Sequence, residues 1–397
     1  MSESKHGVIM GPLLVIISDR LSELVDKGEI NDRYYNPGGL FKEVHILMTN
    51  DDTVDPSLLQ RSVGEAKLYL YNLPAGMRLC LSSFGWQTFL LQKWIEKGIF
   101  IAKAIRPSLV RTHNNFLQGY MAKEIKDALG IPYIISLHGV WDRDNAAGFR
   151  RKSMKLCMKK LEKASLENAD AVIAVYRSVL RYAKEYGAKD IRLIYNVVAG
   201  EKIEKKQEYR IMEKPKLITI NRQLKEKNPE NIIRAIKDID CHYVIIGDGS
   251  YHGYLKRLAI SLHCESKVEF IEALPNDKIC SMLKDFDFMV SHCDYKGISK
   301  TSIEAALAGL PIILNKHMPG EVPELDGGWA MLCDNTEEGY RSAISTFIKN
   351  DAVRHEYGIR AYQYARENFL SEVMERRTVG LYKEIMLNGQ INDLNQG

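Results

Sequence analysis

Twice along this chain, short β-rich apolar runs alternate with longer stretches at helical spacing. That doubled alternation calls for βα units and parallel sheets, an α/β architecture. In the first half the strand-like runs are Leu13–Ser18, Val44–Thr49, Lys67–Leu73, Leu109–His113, Tyr133–His138, Ala171–Val175 and Arg192–Asn196. Helical patterns lie between them, most clearly at Phe116–Leu129, Arg151–Glu167 and Arg177–Tyr186, and Gly130-Ile131-Pro132 marks a helix stop ahead of a strand. The second half restarts with strands at Lys216–Asn221, Tyr243–Gly247, Lys267–Ile271, Phe288–His292, Pro311–Asn315 and Trp329–Cys333. Its helices are expected at Pro229–Ile239, Tyr254–Leu262, Asn276–Lys284, Ser302–Ala308, Thr336–Lys349, Ala352–Asn368 and Ser371–Leu387, with Asn388–Gly397 a frayed polar tail.

At 397 residues the chain exceeds one hydrophobic core. Between the two alternations, nine of the sixteen residues in 199–214 are charged, which reads as a solvated linker. The expected division is 1–198, a linker 199–214, 215–370, and a closing helix with tail over 371–397. Ligands of such doubly wound units are expected at the carboxyl ends of the strands.

Composition excludes several classes. Lys and Arg number 55 against 51 Asp and Glu, a net charge of +4, which argues against a nucleic-acid partner. The seven cysteines form no CxxC pair, so neither zinc nor a disulfide framework is suggested. The apolar run Val8–Ile17 is broken by Gly11-Pro12 and reads as a buried strand rather than a leader, and the expected location is cytoplasmic.

Three motifs carry chemistry. In 286–312 a strand ends in a loop and a helix opens with Ser299, Thr301 and Ser302, whose N–H groups and helix dipole suit a phosphate. Glu304, one turn in, is placed to accept hydrogen bonds from a ribose diol. Arg222 and Lys227 straddle the strand–loop–helix turn after Asn221, where both charges can converge on a diphosphate. Gly247-Asp248-Gly249 follows a strand, though a lone GxG is also the default for a tight turn.

In order and spacing these resemble the retaining nucleotide-sugar glycosyltransferases of the GT-B fold, in particular glycosyltransferase family 4. The matching elements are R-x4-K (Arg222, Lys227), GxG (Gly247, Gly249) and E-A-x-A-x-G-x-P (Glu304 to Pro311). Over 1–197 the resemblance rests on Gly38-Gly39, Ser136-Leu137-His138-Gly139 and the strand–helix order. It implies two facing Rossmann-like doubly wound domains with a cleft between them, the first serving the acceptor and the second the donor. Arg222 and Lys227 would hold the donor diphosphate, Glu304 the ribose hydroxyls, and Gly247 and Gly249 the nucleotide at close range, with the base near Leu274. His138 would approach the transferred sugar, with His113 a weaker candidate, and Gly38-Gly39 would meet the donor phosphates or acceptor. The implied partners are a nucleotide sugar and a glycan, glycoprotein or lipid-linked acceptor.

One position departs from the pattern. The first acid of the family's E-x7-E pair falls at 296, where Lys296 stands. That acid contacts donor-sugar hydroxyls in the family, so donor choice and activity both hang on this residue; Asp294 as a displaced carboxylate and an acidic donor sugar paired with Lys296 are the alternatives. A catalytically silent nucleotide-binding or partner subunit of the same descent is the rival reading. Three D-x-D triplets, Asp142/Asp144, Asp238/Asp240 and Asp285/Asp287, raise metal use, but Arg222 and Lys227 neutralise a diphosphate without it, so no metal and no cofactor is expected. The helix Arg150–Asn168 is basic and reads either as a solvated amphipathic face or as a peripheral contact with an anionic membrane.

Overall fold

The computed structural model describes residues 11–75, 79, 89–138, 149–196, 198, 200, 203–227 and 229–394. Gly139, Trp141 and the Asp142/Asp144 triplet lie outside the described residues. The chain divides into two compact units. The first holds residues up to Asp26, Ile30–Val197 and Glu372 onward; the second holds Lys27–Glu29 and Val198–Ser371.

In the first unit β1 (Leu13–Ile17), β2 (Glu43–Met48), β3 (Lys67–Asn72), β4 (Leu109–His113), β5 (Tyr133–Leu137), β6 (Ala171–Ala174) and β7 (Ile191–Leu193) form one sheet in the order β3-β2-β1-β4-β5-β6-β7. All its pairings are parallel, with Leu13 opposite both Val44 and Leu109. Every residue of β1, β4 and β5 is buried. Parallel strands need crossover helices on both faces, which is why these read as unbroken apolar runs instead of alternating ones. Leu14, Ile16, Val110 and Ile135 pack with Trp94 and Met121 from the helices Phe89–Ile105 and Leu117–Leu129. The second helix stops where the sequence signals it, at left-handed Gly130, whose N–H donates to Lys126 O.

The second unit repeats the plan with β8 (Lys216–Ile220), β9 (His242–Ile246), β10 (Val268–Ile271), β11 (Phe288–Ser291), β12 (Ile312–Asn315) and β13 (Met331–Cys333), in the order β10-β9-β8-β11-β12-β13, again all parallel. Leu217, Ile245, Val290 and Ile313 pack against Ile232, Leu255 and Phe347. Each sheet reverses its strand order beside its first strand, between β1 and β4 and between β8 and β11. Those are the two topological switch points, and the carboxyl ends there are where the fold leaves room for ligands.

The charged segment after Val198 is not solvated throughout, contrary to its composition. Lys206 is buried, its N–H donating to Ala308 O and its ammonium to Lys284 O. Tyr209 is buried too, with its hydroxyl on Gly309 O. The guanidinium of Arg354, fully buried, donates from Nε to Tyr209 O at 2.7 Å and from its other nitrogens to Phe347 O and Asp351. Long charged side chains bury their methylenes while their heads satisfy backbone carbonyls, which a charge count does not register. The closing helix runs Ser371–Leu394, through the stretch expected to fray, and belongs to the first unit, where Glu375 pairs with Arg33 at 3.0 Å and Glu384 with Arg192 at 2.8 Å. Among the described residues no helix is long and apolar enough to cross a membrane. In the basic helix, Phe149–Asn168, Leu161 and Leu166 turn inward while Lys159, Lys160 and Lys163 are exposed.

Candidate active site

Four βα loops of the second unit converge at its switch point. The loop after β8 carries Arg222 and Lys227; it is fastened to the loop after β9 by Gln223 N–H donating to Asp248 O (2.9 Å), Tyr251 N–H donating to Gln223 O (2.9 Å) and Gln223 Nε2 donating to Gly247 O. The glycines make this possible. A Cβ on Gly247 would lie 1.9 Å from Asn221 O, and one on Gly249 would lie 2.4 Å from Gln223 O. In this structure the GxG therefore brings backbone against the Arg222–Lys227 loop itself.

After β11, Ser299 caps the helix Lys300–Leu307: its Oγ accepts the Ser302 N–H at 3.0 Å. The Thr301 hydroxyl donates to Ile220 O at 3.0 Å, tying the helix start to the end of β8. Of the three residues expected to offer donors to a phosphate, Ser302 thus has its N–H, and Thr301 its hydroxyl, engaged within the chain. Glu304 is fully buried. Its Oε1 accepts from Asn276 Nδ2 at 2.9 Å and lies 3.9 Å from Lys300 Nζ, while Oε2 is buried with no hydrogen-bond partner among the described residues. Burial pushes this carboxyl above the usual range, against the pull of Lys300 and Asn276. A buried carboxylate with a bare oxygen is expensive, and such expense is characteristic of ligand sites.

Between these loops lies a recess lined by Asn221, Lys227, His292, Ser299, Ser302 and His317 among others. The Lys227 ammonium stands 5.1 Å from the centre of the Tyr295 ring. Arg222 is exposed and Leu274 is half-buried ahead of the helix Asn276–Met282. Lys296, 61% exposed, is ion-paired with Glu321 at 3.2 Å, and that ammonium holds the Glu321 carboxyl below its usual range.

In the first unit His138 follows β5 and its ring lies 4.9 Å from that of His113 at the end of β4. Asp19, just past β1, is 3.8 Å from His113 Nδ1, and Tyr35 stacks on the other side at 5.7 Å. Burial holds His113 down to about 4 in spite of Asp19. Burial also brings His138 to about 3, helped by repulsion from His113 and Arg111. Both rings are neutral at physiological pH. Because both folded values lie below the unfolded value, the unfolded chain binds more protons in this window, and stability falls as pH drops from about 6.5 toward 4. We expect acidification from pH 7 to 5 to lower the urea midpoint, each histidine contributing about 2 kcal/mol at most, and His138→Asn to flatten that slope. An unaltered slope in the variant would contradict the assignment. Gly38-Gly39 takes another place: it precedes β2, on the amino side of that strand, and the Gly38 N–H donates to Glu375 Oε1 at 2.8 Å. Asp19, Asn276 and His292 were not legible as site residues, since the fold alone gives them their neighbours; only the position of Asp19 just past an expected strand, and of His292 as the last residue of one, hinted at it.

Residues 201–364 match the family of glycosyl transferases group 1, and residues 43–201 match Glycosyltransferase Family 4. The chain is a group 1/family 4-like glycosyltransferase. An uncharacterized glycosyltransferase of Methanocaldococcus jannaschii is 28% identical to it over 253 residues, 60% of this chain and 63% of that protein, somewhat under two thirds of the relative's length. N-acetyl-alpha-D-glucosaminyl L-malate synthase of Bacillus anthracis is 25% identical over 59% of this chain and 65% of its own. Among solved structures, Anabaena HepE in complex with UDP superposes with a TM-score of 0.72 at 14% identity, covering 94% of this chain and all of that one, and so shares the GT-B fold. The glycosyltransferase's two matched segments meet at residue 201, beside the boundary of its two units.

Proposed function

We propose that this glycosyltransferase moves a sugar from a nucleotide diphosphate to a hydroxyl of a glycan, glycoprotein or lipid-linked acceptor, with retention of anomeric configuration. The observation that carries the donor half is Glu304: fully buried, one oxygen unsatisfied, on the helix whose first turn lines the recess with Lys227. A ribose hydroxyl supplies the donor that this oxygen lacks. The matched families, and a fold neighbour described in complex with UDP, support the same reading.

In this reading the bond between the anomeric carbon and the diphosphate oxygen breaks as the acceptor oxygen bonds to that carbon on the same face. The acceptor's proton passes to an oxygen of the departing phosphate. Negative charge grows on the diphosphate, where Arg222, Lys227 and the start of the helix Lys300–Leu307 stabilise it. These groups do the neutralising work without calling on a metal or cofactor.

Calorimetric titration of UDP, GDP and ADP into wild type and Glu304→Ala tests the donor site. One nucleotide should bind, and the variant should bind it more weakly by roughly 1.5–3 kcal/mol. An unchanged dissociation constant in folded variant would remove Glu304 from the site. Lys296 sustains the second reading, a silent subunit that binds nucleotide without turning over. Release of nucleotide from a sugar nucleotide in the presence of acceptor separates the two.

A further inference from the structure

His292 is 3% exposed, and its ring sits at the carboxyl end of β11 in the wall of the recess. Its Nε2 lies 3.1 Å from Asp294 Oδ1. A carboxylate only accepts, so Nε2 carries the proton, and in the neutral ring Nδ1 is an acceptor. That Nδ1 is buried without a hydrogen-bond partner among the described residues. Asp294 is itself fixed, since its N–H donates to Glu226 O at 2.9 Å in the loop after β8. Across the same recess Asn221 donates from Nδ2 to Lys227 O at 2.9 Å, which orients its amide and leaves Oδ1 as a second buried acceptor without a partner among the described residues.

Two unsatisfied acceptors in one recess call for an occupant that donates hydrogen bonds. Phosphate and carbonyl oxygens only accept, so they would leave both atoms unpaired at full cost. An ammonium would donate but would meet the positive charge of Lys227 in the same wall. A pair of hydroxyl groups satisfies both. Lys296 supplies no acceptor, and its charge is engaged by Glu321.

Resting on the donor reading above, we propose that His292 and Asn221 are specificity-determining residues that accept hydrogen bonds from two hydroxyl groups of the transferred sugar. The hydroxyls are thus read by uncharged acceptors, with Asp294 a positioning residue that holds the His292 ring.

The test is calorimetric titration of wild type, His292→Phe, His292→Asn and Asn221→Leu with three pairs: UDP and UDP-glucose, GDP and GDP-mannose, ADP and ADP-glucose. For the pair that wild type binds, the sugar nucleotide should bind more tightly than the bare nucleotide. His292→Phe should weaken the sugar nucleotide about tenfold or more while holding the bare nucleotide within about twofold, and Asn221→Leu, which also releases Lys227 O, should weaken the sugar nucleotide at least about fivefold more than the bare one. His292→Asn, which retains an acceptor near Nδ1, should recover part of the loss. Retained binding of the bare nucleotide doubles as the check on folding. Equal losses for both members of the pair, no loss for either, or a wild type that does not prefer the sugar nucleotide would each overturn the proposal. A wild type that binds none of the six compounds would overturn the donor reading itself, a different outcome.

Discussion

Lys227→Ala is expected to lower turnover by about 10²–10³-fold, the typical cost of deleting one preorganised donor to a charge that develops in the transition state. Lys227 has the position for that work: it lines the recess beside the capped helix start, and its ammonium is steadied over Tyr295. In the proposed reaction the diphosphate gains charge as the glycosidic bond lengthens, so the ammonium would matter more at the barrier than in the ground state. Binding of the bare nucleotide should therefore weaken by less than turnover falls. The readout is nucleotide release from the sugar nucleotide that binds, in wild type and variant side by side. A variant within threefold of wild type would remove Lys227 from the chemistry.

The second large effect is on the fold. Gly247→Ala places a methyl 1.9 Å from Asn221 O, a backbone atom that cannot step aside alone, at a φ of 133° that L-residues rarely adopt. We expect a loss of about 3 kcal/mol or more, read from the urea midpoint. What gives way is the fastening between the loops after β8 and β9, so nucleotide affinity should fall with stability. Gly253→Ala is the control: six residues on, its Cβ meets only Arg257 Nη1, at 3.5 Å. That variant should stay within about 0.5 kcal/mol of wild type or gain slightly. Equal behaviour of the two variants would mean that the close approach after β8 carries no weight.

Much of this was legible because period and punctuation are local. The thirteen described strands fall where β-branched runs stop at Gly, Pro or polar clusters, with ends differing by three residues at most. Spacing put Glu304 one turn into its helix and Lys227 in the loop after β8, since the turn of a helix and the length of a loop fix them relative to a strand end. The helix Phe89–Ile105 was not singled out: its Phe, Leu and Ile residues occur on exposed as well as buried positions, which blurs the stripe. The stretch 199–214 misled through composition, because what Lys206 and Tyr209 are buried against are carbonyls about a hundred residues on and an arginine 145 residues from Tyr209. His292 escaped for the same reason, its meaning residing in Asp294, the recess and a buried Nδ1 with no partner among the described residues.

Tyr209 and Arg354 also say where the second unit can be cut free. A fragment beginning at Pro215, where the strands resume, would keep the Arg354 guanidinium inside and take away the Tyr209 carbonyl it donates to. It would also strip the hydroxyl from Gly309 O at the end of the helix that bears Glu304. Excised from Val198 instead, the unit keeps its own clasp, so the segment that composition marks as dispensable spacer is the selvedge that keeps the second unit from unravelling.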